Sequence, residues 1–215
     1  MELYGHPFSS YTWKAQIALY ATGTEHEFRM VDQDHPDHAA IVQSAHPAGK
    51  FPVLRDGETT IVEATAIVEY LAAVHSGNCA LIPPNPRDAA NARMLDRVFD
   101  NYVMANMQRI VNAWLATPGN PDPTEIAAGQ AGLRRAYLWL EDWLAANALS
   151  PHVSLVTCAA APSLFYADWV ECIPANCPRL ASLRAELLAL PEVSRCVEDA
   201  RPYRAFFPPG APDRD

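Results

Sequence analysis

The first 78 residues of this 215-residue chain contain no cysteine, so no thiol nucleophile can operate from that part of the protein. The five that follow, Cys79, Cys158, Cys172, Cys177 and Cys196, are odd in number and irregularly spaced, and none forms a CxxC pair. Neither a disulfide framework nor a zinc site is indicated. Cys172 and Cys177, with Pro174 between them, read as two separate thiols. Positive charge is scarce as well: 16 lysines and arginines stand against 25 acids, for a net charge of −9. Neutralising phosphates requires a basic face, so nucleic acid is excluded as a partner and an anionic membrane surface is disfavoured. No apolar run approaches the roughly 18 residues of a membrane-spanning helix. The opening MELYGHPF lacks a charged-then-apolar leader, and a cytoplasmic protein with no membrane partner is expected.

Half of the residues are hydrophobic and 19% are charged, the balance of a soluble globular chain with a sizeable core. There is no internal repeat and no low-complexity segment. The texture divides in two. In the first half, Glu2 to Tyr4 reads as a short strand ending at Gly5-His6-Pro7. Ser9-Ser10 then caps a helix running through Trp13, Ile17 and Leu19. Phe28 to Val31 reads as a second strand, followed by a short helix ending before His46-Pro47. A hairpin comes next, with strands at Phe51–Leu54 and Thr59–Val62 about the turn Arg55-Asp56-Gly57-Glu58. An amphipathic helix from Thr65 to about Val74 completes the half. The cluster Asp32, Asp34, His35, Asp37 and His38 matches no metal-site spacing. Pro36 marks a polar helix start there, and no metal is expected.

Pro83, Pro84 and Pro86 end the alternating region and pre-set a helix start. From Arg87 to about Ala116 apolar residues recur at helical spacing, and a second long helix runs through Leu133, Tyr137, Leu140 and Leu144. Helices from Ser154 to about Cys172 and from Pro178 to Leu190 follow. The organisation expected is therefore residues 1–80 as an α/β unit, 81–86 as a linker and 87–215 as an all-α unit.

One residue resists this reading. Pro52 lies where a strand begins, yet it has no N–H for a ladder, so it belongs at an edge, a bulge or a first strand position.

The stretches LYGHPFSSYTWKAQIAL, HPAGKFPVLRDG with VEATAIVEYL, and VSLVTCAAAP resemble, in order and spacing, the cytosolic glutathione transferases. The resemblance covers nearly the whole chain. It implies a thioredoxin-like βαβαββα domain with a mixed four-stranded sheet, then an all-α helical bundle, usually paired as a homodimer. It also implies that the peptide bond before Pro52 is cis. The backbone of Val53 would then be free to pair with the cysteinyl part of glutathione, as β-augmentation on a small scale. By the same resemblance Lys50 takes the glycyl carboxylate. Glu63 takes the γ-glutamyl ammonium, and the N–H groups of the helix start at Ala64 and Thr65 receive the γ-glutamyl carboxylate. Lys50, Phe51, Pro52, Val53, Glu63, Ala64 and Thr65 make up the expected glutathione site.

The chain departs from the family in two places. Glu-Ser is common at the γ-glutamyl site, and here Glu63-Ala64 lacks the hydroxyl. A lost hydrogen bond to a charged group costs about 1.5–3 kcal/mol, so binding is expected to weaken about tenfold to hundredfold. The following Thr65 is a candidate substitute hydroxyl. In Ser154-Leu155-Val156-Thr157, threonine replaces the aspartate of the family's buried capping box, at an expected cost of about 1 kcal/mol.

Glutathione chemistry needs a thiolate, and lowering a thiol pKa by about two units takes about 2.7 kcal/mol of preference for the anion. One hydroxyl bond supplies about 1.5–3 kcal/mol, and a helix N-terminus adds about 0.3–1. Ser9, Ser10 and Tyr11 are the candidates for that hydroxyl. With no cysteine in this half, a reductase working through a mixed disulfide is not expected. A transferase that adds glutathione to a small hydrophobic electrophile is expected instead, with a non-catalytic binding protein or a glutathione-dependent lyase or isomerase as alternatives. Phe8, Tyr102, Met104, Met107, Trp114, Tyr166 and Trp169 are the expected walls of the acceptor site.

Overall fold

Alternating apolar residues and tight turns give four short strands: β1 (Glu2–Gly5), β2 (Glu27–Met30), β3 (Val53–Asp56) and β4 (Thr59–Val62). The computed structural model describes residues 1–77, 79–150 and 152–215. The strands form one mixed sheet in the order β2-β1-β3-β4, with β1 and β2 parallel and the other pairs antiparallel. Leu3 pairs with Phe28 on one side and Leu54 on the other, which sets the register of the centre.

Helices cover both faces. α1 (Ser10–Thr22) and α3 (Ala64–Val74) bury Trp13, Ile17, Ile67 and Leu71 against the side of the sheet bearing Leu3 and Leu54. α2 (Pro36–Ala45) places Val42 against Tyr4 and Val53 on the opposite side. A side chain at Gly5 would come within 2.6 Å of Thr12, so only glycine lets the end of β1 meet α1 this closely.

From Pro86 onward the described elements are helical: α4 (Pro86–Val98), α5 (Ala105–Ala116), α6 (Pro123–Ala146), α7 (Leu155–Val170), α8 (Pro178–Leu188) and α9 (Pro191–Ala200). A 3-10 turn at Arg201–Phe206 follows. The single helix expected over residues 87–116 is two helices joined by a π-helical turn, Phe99–Met104. Such turns widen the helix locally and often lie at functional sites. α9 was not expected, although Pro191 at its first turn is a helix-start signal.

The α7 cap keeps both bonds of its box with threonine at the third helical position. Ser154 accepts from the Thr157 N–H, and Thr157 Oγ1 accepts from the Ser154 N–H at 3.1 Å, so the box closes without an aspartate. α7 is the central pillar of the core: every residue from Leu155 to Trp169 is buried.

Candidate functional site

The site forms where the β1–α1 turn, the 46–52 loop and the start of α3 meet the π-turn. A cavity of about 230 Å³ is lined by Tyr11, His46, Lys50, Phe51, Pro52, Glu63, Ala64, Arg97, Asp100 and Asn101. A larger cavity of about 670 Å³ adjoins it. Tyr11 and Lys50 belong to both, and the outer wall carries Gln108, Arg109 and Asn112 of α5 with Asp122 and Glu125.

The Phe51–Pro52 bond is cis. Phe51 precedes β3, and among the described residues its backbone makes no hydrogen bond to another backbone group. Val53 does not fit its expected role. It faces Tyr4 across β1 and Val62 across β4, so its N–H and C=O point at a paired strand on whichever side they lie. Phe51, one step before the proline, is the residue whose main chain is open.

Glu63 stands at the head of α3 with φ 70° and ψ 120°, the left-handed half of conformational space that a residue with a side chain avoids. Holding it there costs about 1–3 kcal/mol and needs support from its surroundings. Ala64 opens α3 and lies on the cavity wall.

The Thr65 hydroxyl is not available as a substitute for the missing serine. It receives a 2.8 Å hydrogen bond from Lys14 Nζ and contacts Asp96, Asp100 and Arg97. Lys14 is 1% exposed and bridges Asp96 Oδ1 at 2.5 Å and Asp100 Oδ2 at 2.8 Å. Arg97 pairs with both aspartates from the solvent side. The two lysine and arginine cations balance the two carboxylates, as burial of charge requires. Asp100 thus joins the network to the cavity wall. Sequence reasoning missed this cluster. Its one trace was Lys14, the single charged residue of α1.

The three hydroxyl candidates separate. Ser9 is the N-cap of α1, and its Oγ accepts from the Thr12 N–H at 3.3 Å, which leaves its own O–H free to donate. Ser10 occupies the first helical position and is buried. Tyr11 alone of the three lines both cavities. Burial, followed by the Asp100 charge, pushes its phenol up to about 12, so it remains a neutral donor at physiological pH.

The expected acceptor walls lie elsewhere. Met104, Met107, Tyr166 and Trp169 are core residues, and Trp114 is half-buried against that core. Phe8 packs edge-on against Tyr166 at 5.4 Å and beside Trp169 and Phe207. Tyr102 faces outward beside Trp139 and Arg135, away from the site. Helical spacing identified the buried side of each helix, not the wall of a cavity. The wall of the larger cavity sets polar and charged side chains among Ala105, Ala113 and Ala116, and Arg109 is bound bidentately by Glu125 at 2.6 and 2.8 Å. Among the described residues no three His, Cys, Asp or Glu side chains converge as metal ligands.

A thioredoxin-like sheet with a cis-proline loop and a helical domain closing over it defines a two-domain class of protein. The comparisons narrow that class. A family model described as "Glutathione S-transferase, N-terminal domain" matches residues 3–79. A probable maleylacetoacetate isomerase of Vibrio cholerae is 27% identical over 93% of this chain and 96% of its own length. Among solved structures, glutathione transferase F7 from Populus trichocarpa superposes with a TM-score of 0.80 at 22% identity, covering 93% of this chain and 98% of that one. A maleylacetoacetate isomerase from Anaeromyxobacter dehalogenans, bound to dicarboxyethyl glutathione and citrate, gives 0.73 at 22% identity, covering 94% and 92%. Residues 3–79 thus match a glutathione S-transferase N-terminal domain, and nearly the whole chain is similar in sequence to a probable maleylacetoacetate isomerase and in fold to glutathione transferases.

Proposed function

We propose that this protein is a glutathione-dependent enzyme that adds the glutathione thiolate to a polar electrophile. The observation that carries the reading is that Tyr11 and Lys50 stand on the walls of both adjoining cavities. In the smaller cavity, the open main chain of Phe51 pairs with the cysteinyl unit, Lys50 with the glycyl carboxylate, and Glu63 with the γ-glutamyl ammonium. The Ala64 N–H at the head of α3 takes the γ-glutamyl carboxylate. The Tyr11 phenol, set at the junction, donates to the sulfur. Ser9 is the second reading for that donor, favoured by its unused O–H at the helix N-terminus.

The larger cavity holds the acceptor. Its Gln108 and Asn112 amides favour an electrophile with hydrogen-bonding groups over the hydrophobic one that the family resemblance implied, while Glu125 already neutralises Arg109. Addition of a thiolate to an activated double bond has two outcomes. Protonation of the resulting carbanion completes a conjugation, whereas rotation and expulsion of the thiolate complete a cis–trans isomerisation. The Vibrio cholerae relative, matched over nearly its whole length, supports the isomerase outcome. The reading includes a homodimer in the cytoplasm, with the exposed Tyr102 and Trp139 as support for a paired surface.

Calorimetric titration with glutathione tests the first half, and one site per chain with affinity tightened about tenfold by Ala64→Ser is expected. A substrate panel tests the second. Turnover of cis-unsaturated carboxylates above that of neutral aryl halides supports the reading, and the reverse order contradicts it.

A further inference from the structure

His46 stands out among the cavity residues because both of its ring nitrogens are engaged. The Ala48 N–H points at Nδ1 from 3.0 Å. A backbone N–H can only donate, so Nδ1 carries the lone pair. The proton of the neutral ring is therefore on Nε2. Nε2 lies 3.2 Å from Glu63 Oε1, where it donates to the carboxylate. The ring is 8% exposed, whereas the Glu63 carboxylate is 74% exposed, so a buried donor reaches out to hold a surface acid.

The backbone around the ring points the same way. The Gly49 N–H closes a turn onto the His46 carbonyl at 2.9 Å, and Gly49 takes φ 59° to do so. That turn delivers Lys50 and Phe51. On the other side of the ring stands Glu63, whose own backbone is strained. One imidazole therefore joins the two arms of the cavity, with a loop fixed through Nδ1 and an acid through Nε2.

We propose that His46 is a positioning residue: it holds the Glu63 carboxylate and the 46–51 loop at the spacing that one tripeptide ligand must span. The proposal rests on the reading that Lys50 and Glu63 hold the two ends of glutathione.

Two variants take the brace apart. In His46→Asn the amide oxygen can replace Nδ1 as acceptor for the loop, but nothing reaches Glu63. In His46→Gln the amide N–H can replace Nε2 and keep Glu63. The loss of one hydrogen bond to an exposed charge predicts that His46→Asn raises the glutathione Kd about fivefold. The same variant should raise KM for glutathione and leave kcat at saturating glutathione within about twofold, as expected for lost ground-state binding. His46→Gln should bind more tightly than His46→Asn. Glu63→Gln and the double variant His46→Asn/Glu63→Gln should bind equally, because residues acting through one contact are not additive. Equal weakening by both His46 variants, or additive losses in the double variant, would overturn the proposal. Nitrogen-15 spectra of the ligand-free protein read the brace independently of glutathione. An Nε2-protonated ring supports it and an Nδ1-protonated ring refutes it, even if the wild type binds no glutathione and the functional reading fails.

Discussion

Lys14 Nζ lies 2.5 Å from Asp96 Oδ1, and each side chain is 1% exposed. One residue is on the first helix of the sheet domain and the other on the first helix of the second domain, so a buried ion pair fastens the halves beside the cavity. Removing one member of a buried pair leaves an uncompensated charge and costs about 3–5 kcal/mol. Lys14→Met is therefore expected to lower unfolding stability by about 3 kcal/mol, since Arg97 still neutralises part of the carboxylate charge. Urea denaturation measures this, and a loss below about 1 kcal/mol would show that the pair is dispensable.

The α7 cap gives a second number. Thr157→Ala removes the acceptor for the Ser154 N–H and should cost about 1 kcal/mol. Thermal unfolding of this single variant is the check. A wild-type midpoint would mean that the threonine box does no capping.

Tyr11 and Tyr20 are both pushed up to about 12, chiefly by burial. Between about pH 10 and 12 the unfolded chain has lost these phenolic protons while the folded chain keeps them. The unfolded state then binds fewer protons, so stability falls as pH rises through that window. It is fully present below about pH 10. Unfolding midpoints followed across this range should drop in the wild type and drop less steeply in Tyr11→Phe/Tyr20→Phe, where Tyr137 and Tyr166, also raised by burial, keep the remaining slope.

Tyr166 separates core from acceptor wall. Its phenol donates to the Phe8 carbonyl at 3.0 Å, and Trp13 Nε1 donates to the Pro7 carbonyl at 2.6 Å, so the turn before α1 is pinned from two sides. Tyr166→Phe should destabilise the fold by about 1 kcal/mol and leave KM for the electrophile unchanged. Gln108→Ala should do the reverse. The opposite pattern in steady-state kinetics would return Tyr166 to the acceptor site.

How much of this was legible in the sequence depended on range. The hairpin, the capped start of α1 and the loop ahead of Pro52 were readable because turn and cap chemistry is local, encoded within a few residues. The open backbone was misplaced by two positions, at Val53 instead of Phe51, because strand pairing on both flanks is set by β1 and β4 and not by the proline. The Lys14–Asp96–Asp100 cluster joins residues more than 80 positions apart, and no local pattern marks such pairs. The π-turn at Phe99–Met104 escaped because one wide turn changes neither composition nor apolar spacing enough to be noticed. It nevertheless decides the site, since it sets Asp100 and Asn101 on the cavity wall.

The most direct measurement is a crystal structure of the whole chain soaked with glutathione. The tripeptide is expected to lie stretched between Lys50 and Ala64, its cysteinyl main chain paired with Phe51 and its sulfur within hydrogen-bond reach of the Tyr11 or Ser9 hydroxyl. Density for glutathione outside this cavity, or the Phe51 main chain bonded instead to the protein's own backbone, would contradict this arrangement.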